Sequence, residues 1–351
     1  MNTKQTTRII YILAGLVFVS AILLLMWFGF GWRPTIGEPF ALDEVVEVED
    51  DCDFRRLIDG VCVEHQKDID PKLVAVMVEN HSDARPQSGL SSASIVYEAP
   101  VEANYSRFLL IYPLGENVDK VGPVRSARPY YLDWLAEYDD IMYMHVGGSP
   151  DALDIIADRG LFDLNEFYRG WYYWRSSDRY APHNVYTSNK LWEKAWEEYG
   201  SDDEDEKKEK NYWTFEKMDA CEENCVENIE VTFLVPTYVA EWEYNTSTQK
   251  YGRYQMGYPH VDQDGTQIEA DTIIVQYVDT EVLDGIGRLG MDTIGTGEAI
   301  VFRDGHMIEG TWNKDDVDAK TQWLDTEGNI ISLKSGKIWI EVVNGRGSVS
   351  Y

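Results

Sequence analysis

The arginines raise the first chemical question. Arg107, Arg125 and Arg128 fall close together, and Arg175 and Arg179 precede His183 and Asn184. A guanidinium offers a planar fork of donors that matches a carboxylate or a phosphate. The surrounding chain is strongly acidic: 31 Lys and Arg stand against 62 Asp and Glu, a formal net charge of -31. Clustered arginines in such a chain either pair internally, with Glu98, Glu102 and Asp133, or hold an anion from outside. Ser149, followed by Pro150 and Asp151, caps a helix start whose free N–H groups also favour negative charge. The expected ligand-binding set is therefore Arg107, Arg125, Arg128, Ser149, Arg179, His183 and Asn184. For catalysis the candidates are Glu98, Glu102 and His145. Either glutamate could serve as general acid, although glycoside cleavage needs a second carboxyl group across the scissile bond.

Other motifs read as structure. Gly285, Gly287 and Gly290 spell the dinucleotide fingerprint, but the residues after them, Met291 to Gly297, cannot open the helix that would receive a pyrophosphate. Gly147-Gly148-Ser149-Pro150 is no nucleophile elbow, because the residue after the serine lacks an N–H. Asp262, Asp264 and Gly265 begin like a calcium loop, and the pattern does not continue. The six histidines, 65, 81, 145, 183, 260 and 306, show no spacing typical of a metal site, so no metal and no cofactor is expected. Trp171-Tyr-Tyr-Trp174 fits a buried aromatic cluster better than a sugar platform.

The elements that must hold the arginines are legible as apolar runs. Leu73–Val78, Ser94–Glu98, Arg107–Tyr112 and Ile141–Val146 read as strands. Helices are expected from Pro129 to Tyr138, from Ser149 to Gly160 and from Ser188 to Gly200, each with a capping residue or proline at its start. This gives a mixed α/β domain over residues 60–211. Beyond it, Ile229–Val235, Thr272–Tyr277, Ala299–Arg303, Met307–Trp312, Ile330–Leu333 and Ile338–Val343 read as strands of a smaller β-rich domain over 212–346. Asp304-Gly305 is a hairpin signal, and Glu327-Gly328-Asn329 and Ser335-Gly336 mark turns.

The N-terminus sets the compartment. Residues 9–30 are 22 residues without a charge, enough to span a hydrocarbon core of about 30 Å. Lys4 and Arg8 precede the run, which places residues 1–8 in the cytoplasm and the rest outside. A retained membrane anchor is expected rather than a cleaved signal, because no small-residue cleavage site follows. Residues 31–59 form an acidic linker that like charges keep extended. Cys52 with Cys62, and Cys221 with Cys225, suit two local disulfides in an oxidising compartment; zinc is the alternative reading. The acidity excludes nucleic acid as a partner. The overall class is α+β: a transmembrane helix, a mixed α/β domain and a smaller mainly-β domain.

A family resemblance rests on several runs. These are Val76-Met-Val-Glu-Asn80, Ala84-Arg-Pro-Gln-Ser-Gly-Leu90, Ile95-Val-Tyr-Glu-Ala99, Ser106-Arg-Phe108, Gly122-Pro-Val-Arg-Ser-Ala-Arg-Pro129 and His145-Val-Gly-Gly-Ser-Pro150, followed by Gly310-Thr-Trp312 and Gly336-Lys-Ile-Trp-Ile340. From about Arg56 to Val343 the chain resembles the YerB-like family of bacterial envelope proteins, a domain of unknown function. The resemblance implies a two-domain extracytoplasmic protein, usually lipid-anchored, associated with the cell wall. The apolar span, the absence of a lipid-attachment cysteine, the acidic stretch after Tyr199 and the four cysteines depart from it. Together these features lead to the expectation of a cell-membrane protein, single-pass through residues 9–30, whose outer domains form a binding or regulatory module for cell-wall fragments or envelope proteins. A cell-wall glycan or peptide hydrolase is the alternative.

Overall fold

The structure, a computed structural model, describes residues 52–102, 105–201, 212–233, 238–344 and 348–351. The expected anchor at 9–30, the tail before it and most of the acidic linker lie outside the described residues. Among the described residues no helix is long and apolar enough to cross a membrane.

The apolar run after Lys72 forms strand β1, Leu73–Glu79. Next come β2, Ile95–Pro100, and β3, Ser106–Pro113. Helix α1, Pro129–Leu135, has proline in its first turn, where a missing N–H costs nothing. Strand β4, Met142–His145, leads to helix α2, Pro150–Arg159. Ser149 caps α2 by accepting the Ala152 N–H, and Gly160 ends it at a φ of 62°, a left-handed turn that suits glycine. Strand β5, Asp163–Asn165, follows.

One mixed sheet organises the molecule. Its strand order is Gln322–Asp325, His306–Lys314, Gly295–Arg303, Thr272–Tyr277, Ile338–Val343, β2, β3, β1, β4, β5. Ile338–Val343 lies parallel to β2, with Ile338 opposite Ile95 and Glu341 opposite Glu98. The regions 60–211 and 212–346 therefore meet strand to strand. A smaller sheet of Tyr258–Pro259, Lys250–Gln255, Val239–Asn245, Asn228–Thr232 and Val349–Ser350, with Glu269–Ala270 beside Lys250–Gln255, adds a second layer.

Both faces of the central strands are covered, which explains their continuous hydrophobicity. Along β1 the pleat sends Val74, Val76 and Val78 into a core shared with Trp242 and Tyr251 of the small sheet. It sends Leu73, Ala75 and Met77 into a core shared with Tyr130, Tyr131 and Trp134 of α1. Tyr97 stacks on Trp134 with ring centroids 5.4 Å apart, a contact worth about 0.5–1.5 kcal/mol beyond its buried area.

Two local expectations are corrected. Ile330–Leu333 is not a strand: Ile330 and Leu333 make only isolated bridges, to Leu324 and Phe215. The strands Val239–Asn245 and Lys250–Gln255 were not anticipated, because charged residues interrupt both. The Asp304-Gly305 turn is present, with φ of 52° and 80° joining two long antiparallel strands. The glycine loop at 285–290 is tied by the Asp284 carboxylate, which accepts the N–H groups of Ile286, Gly287 and Arg288. Tyr172 and Tyr173 are buried while Trp171 is exposed. Cys52–Cys62 and Cys221–Cys225 are both disulfide-bonded, each with Cα atoms 5.6 Å apart.

Candidate functional site

The three central arginines are brought to one end of β1 and β3 by backbone stitching. Arg107 sits directly opposite Glu79 in the β1–β3 register. The Val124–Ala127 segment runs between the ends of β1 and β4: Arg125 donates its N–H to Met77 O, Val146 donates to Arg125 O, and Ala127 donates to Gly147 O. Because β1, β4 and β5 are parallel, this is the carboxyl end of a parallel set, where open α/β sheets tend to form crevices. Tyr131 fixes the region from below, its hydroxyl bonded to the carbonyls of Ala99 and Arg107.

The charges are incompletely matched. Arg128 makes a bidentate pair with Glu102 at 2.6 and 2.7 Å. Arg125 Nε lies 3.1 Å from Glu79 Oε2. His183 Nδ1 lies 3.0 Å from both Glu79 oxygens. Arg107 donates to the carbonyl of Ser126 at 2.8 Å, and among the described residues no carboxylate pairs with it. Burial, and then the repulsion of Arg128 and Arg125, bring the Arg107 guanidinium down to about 10. Burial lifts the Glu79 carboxyl above its ordinary value despite Arg125 and His183. Among the described residues, the two terminal nitrogens of Arg125 have no hydrogen-bond partner, and the side chain is 22% exposed. An anion placed there would accept the fork and relieve the repulsion at Arg107.

The other expected residues divide. His183 joins the cluster through Glu79. Arg179 lies beside it, donating to the carbonyls of Asp83 and Pro86. Asn184 is engaged locally, accepting from Arg175 and donating to Ser176 O. The Ser149 hydroxyl accepts the Ala152 N–H of α2. The catalytic candidate His145 stands apart from the arginines: it is fully buried, stacks on Tyr143, and directs its ring nitrogens at Gly147 O and Asp163.

Glu98 is also corrected out of the cluster, and the pleat gives the reason. Glu98 pairs in register with Phe108, whereas Arg107 pairs with Ala99. Neighbouring residues on a strand face opposite sides, so Glu98 points toward the small sheet and Arg107 toward α1. There Glu98 accepts from Arg253 at 2.7 Å, Asn80 at 3.2 Å and Ser106 at 2.5 Å, with no exposure. Beside it, Glu341 accepts the Trp242 indole N–H, and burial followed by the Glu98 charge holds its carboxyl far above the usual range. Glu79, His81 and Asp83 were missed in the sequence; the one signal was a polar run, Glu79-Asn-His81, closing an apolar strand.

Residues 60–202 match the family described as "Protein of unknown function (DUF3048) N-terminal domain", and residues 229–340 match its C-terminal domain. The chain is 33% identical over 285 residues to "Putative lipoprotein YerB" of Bacillus subtilis (strain 168), covering 80% of this chain and 81% of that protein. It is also similar to the crystal structure of YerB protein from Bacillus subtilis, with a TM-score of 0.74 and 30% identity over 85% of this chain and 99% of that one.

Proposed function

From a chain that belongs to the DUF3048 family and keeps an incompletely matched arginine cluster, we infer an extracytoplasmic binding module for an anionic ligand of the cell envelope. It is held to the membrane by residues 9–30. The observation that carries the reading is the state of Arg107 and Arg125: one guanidinium without a carboxylate, beside another whose fork is unfilled. Cell-wall fragments bearing a carboxylate or phosphate fit that chemistry.

The hydrolase alternative draws less support. Glu98 has no contact with solvent. Burial pushes the Glu102 carboxyl up, but the hydrogen bonds and charge of Arg128 outweigh it and leave it below its ordinary value. A carboxyl so held is ionised at neutral pH and has no proton to donate as a general acid.

The test compares wall fragments of matched size with and without a charged group, titrated calorimetrically into the full-length protein in a nonionic detergent. Charged fragments should bind and neutral ones should not, and the affinity should fall as salt is raised. Equal binding of both, or none, would remove the reading.

A further inference from the structure

Beside Glu79 lies a second constellation, which shares only His183 with the arginine cluster. His81, Asp83 and His183 each place one donor atom within 4.8 Å of the other two. His81 and Asp83 come from the turn that leaves β1, and His183 from the segment before the short strand Val185–Tyr186. His183 lies about a hundred residues from the other two, which is why spacing gave no sign of the group.

The tautomers are set by neighbours. His81 Nδ1 accepts the Asp83 N–H at 3.1 Å and lies 3.8 Å from Asp83 Oδ2, so in the neutral ring the lone pair sits at Nδ1, and a metal bound there takes the place of that N–H. His183 Nδ1 faces both Glu79 oxygens at 3.0 Å, so Nδ1 carries the proton and Nε2 the lone pair. A carboxylate behind an imidazole is how proteins fix the orientation of histidines that bind metals. The two rings stack, with centroids 4.6 Å apart at 19°, and Tyr105 closes edge-on against His81 at 5.1 Å.

We propose that His81, Asp83 and His183 form a three-donor site for a first-row divalent metal of the zinc class, with Glu79 orienting His183. Two imidazoles and a carboxylate are borderline donors that suit zinc; calcium and magnesium favour oxygen alone. Three protein donors leave a fourth position open, as in zinc sites that bind an external ligand. Metal–donor bonds of about 2.0–2.2 Å require the donors to draw closer than they stand. Asp83 is free to do so, its side chain being 70% exposed, and His81 is 27% exposed. Nearby cations oppose the metal, but Arg125 is paired with Glu79, and Arg179 donates to backbone carbonyls. The site stands whether or not the arginine cluster takes an anion.

The experiment is a Zn²⁺ titration of chelator-treated, desalted full-length protein in nonionic detergent, with a chromophoric chelator as competitor. One equivalent should bind. Asp83→Asn should weaken it about tenfold or more, and His81→Ala should abolish it. Replacing the exposed His65 by Ala should change nothing, and excess Ca²⁺ or Mg²⁺ should not compete. Co²⁺ in place of Zn²⁺ should give visible absorption bands that vanish in His81→Ala. Because Asp83 is exposed, Asp83→Asn keeps the fold and remains informative if His81→Ala does not. Absence of a one-equivalent site, or a site that Asp83→Asn leaves unchanged, overturns the proposal and assigns any uptake to the acidic surface.

Discussion

Arg107 and Glu79 are direct cross-strand partners at the ends of β3 and β1, yet both oxygens of Glu79 are engaged elsewhere, by Arg125 and His183. The partner that register assigns to Arg107 is thus drawn away, and its guanidinium is left with a backbone carbonyl. Glu79→Gln should therefore cost about 3 kcal/mol, because it strands buried positive charge. Arg107→Met should cost much less, because it removes a repulsion along with a hydrogen bond. Urea denaturation of both variants checks the order; an equal or reversed ranking contradicts it.

The Glu98–Arg253 pair should behave as a buried ionic lock between the two sheets, both side chains having no exposure. Glu98→Gln or Arg253→Met alone is expected to cost about 3–5 kcal/mol. The double variant should recover part of that loss, since neither charge is left alone. A double-mutant cycle by denaturant unfolding reads the coupling, and strict additivity would show that the pair does not act as one.

Much of the large sheet was legible because its central strands are buried on both faces and read as apolar runs, unbroken in Leu73–Val78 and interrupted only by Glu341 in Ile338–Val343. Pairings between distant segments were not. Glu79 meets His183 across 104 residues, and Glu98 meets Arg253 across 155; no local pattern carries such contacts. Arg253 also hid its own strand, since a charge in an alternating run reads as solvent-facing when its partner lies far away. The arginines could be picked out by type, but which glutamate each would meet depended on strand register and pleat, and that is where Glu98 was misplaced.

Stability should rise with pH through the interval set by Lys320. Its Nζ lies 3.7 Å from the Tyr138 ring centroid, 3.8 Å from that of Trp213, and 3.4 Å from Glu137. Burial, only partly opposed by Glu137, brings this amine down to about 8, against about 10.4 in an unfolded chain. Between those values the unfolded chain binds the extra proton, so the contribution is full at the upper end and is lost as pH falls through about 8. It amounts to roughly 3 kcal/mol. Denaturant midpoints from pH 7.5 to 9.5 should climb in the wild type and climb less steeply in Lys320→Met, the remaining rise coming from Lys337, which burial brings down to about 7; equal slopes would contradict the assignment.

Exposure to the oxidising side should be visible in both topology and sulfur. Protease added to intact spheroplasts should digest the region beyond the apolar segment, whereas full protection would contradict an outside location. Alkylated, non-reduced protein should show no free thiol by mass spectrometry. Replacing Cys52 and Cys62 by Ser should lower stability by about 2–3 kcal/mol through the freed loop.

The central claim is that the Arg107, Arg125 and Arg128 cluster holds an anion through the fork of Arg125. Calorimetric titration of a charged wall fragment into wild type and Arg125→Lys, both shown to be folded, tests it most directly. Lysine keeps the charge but cannot form the bidentate fork. Saturable binding by the wild type and a clear loss of affinity in Arg125→Lys is the expected result. Equal affinity in the two proteins, or no binding to either, would show that the cluster is a structural ion-pair network and would contradict the account.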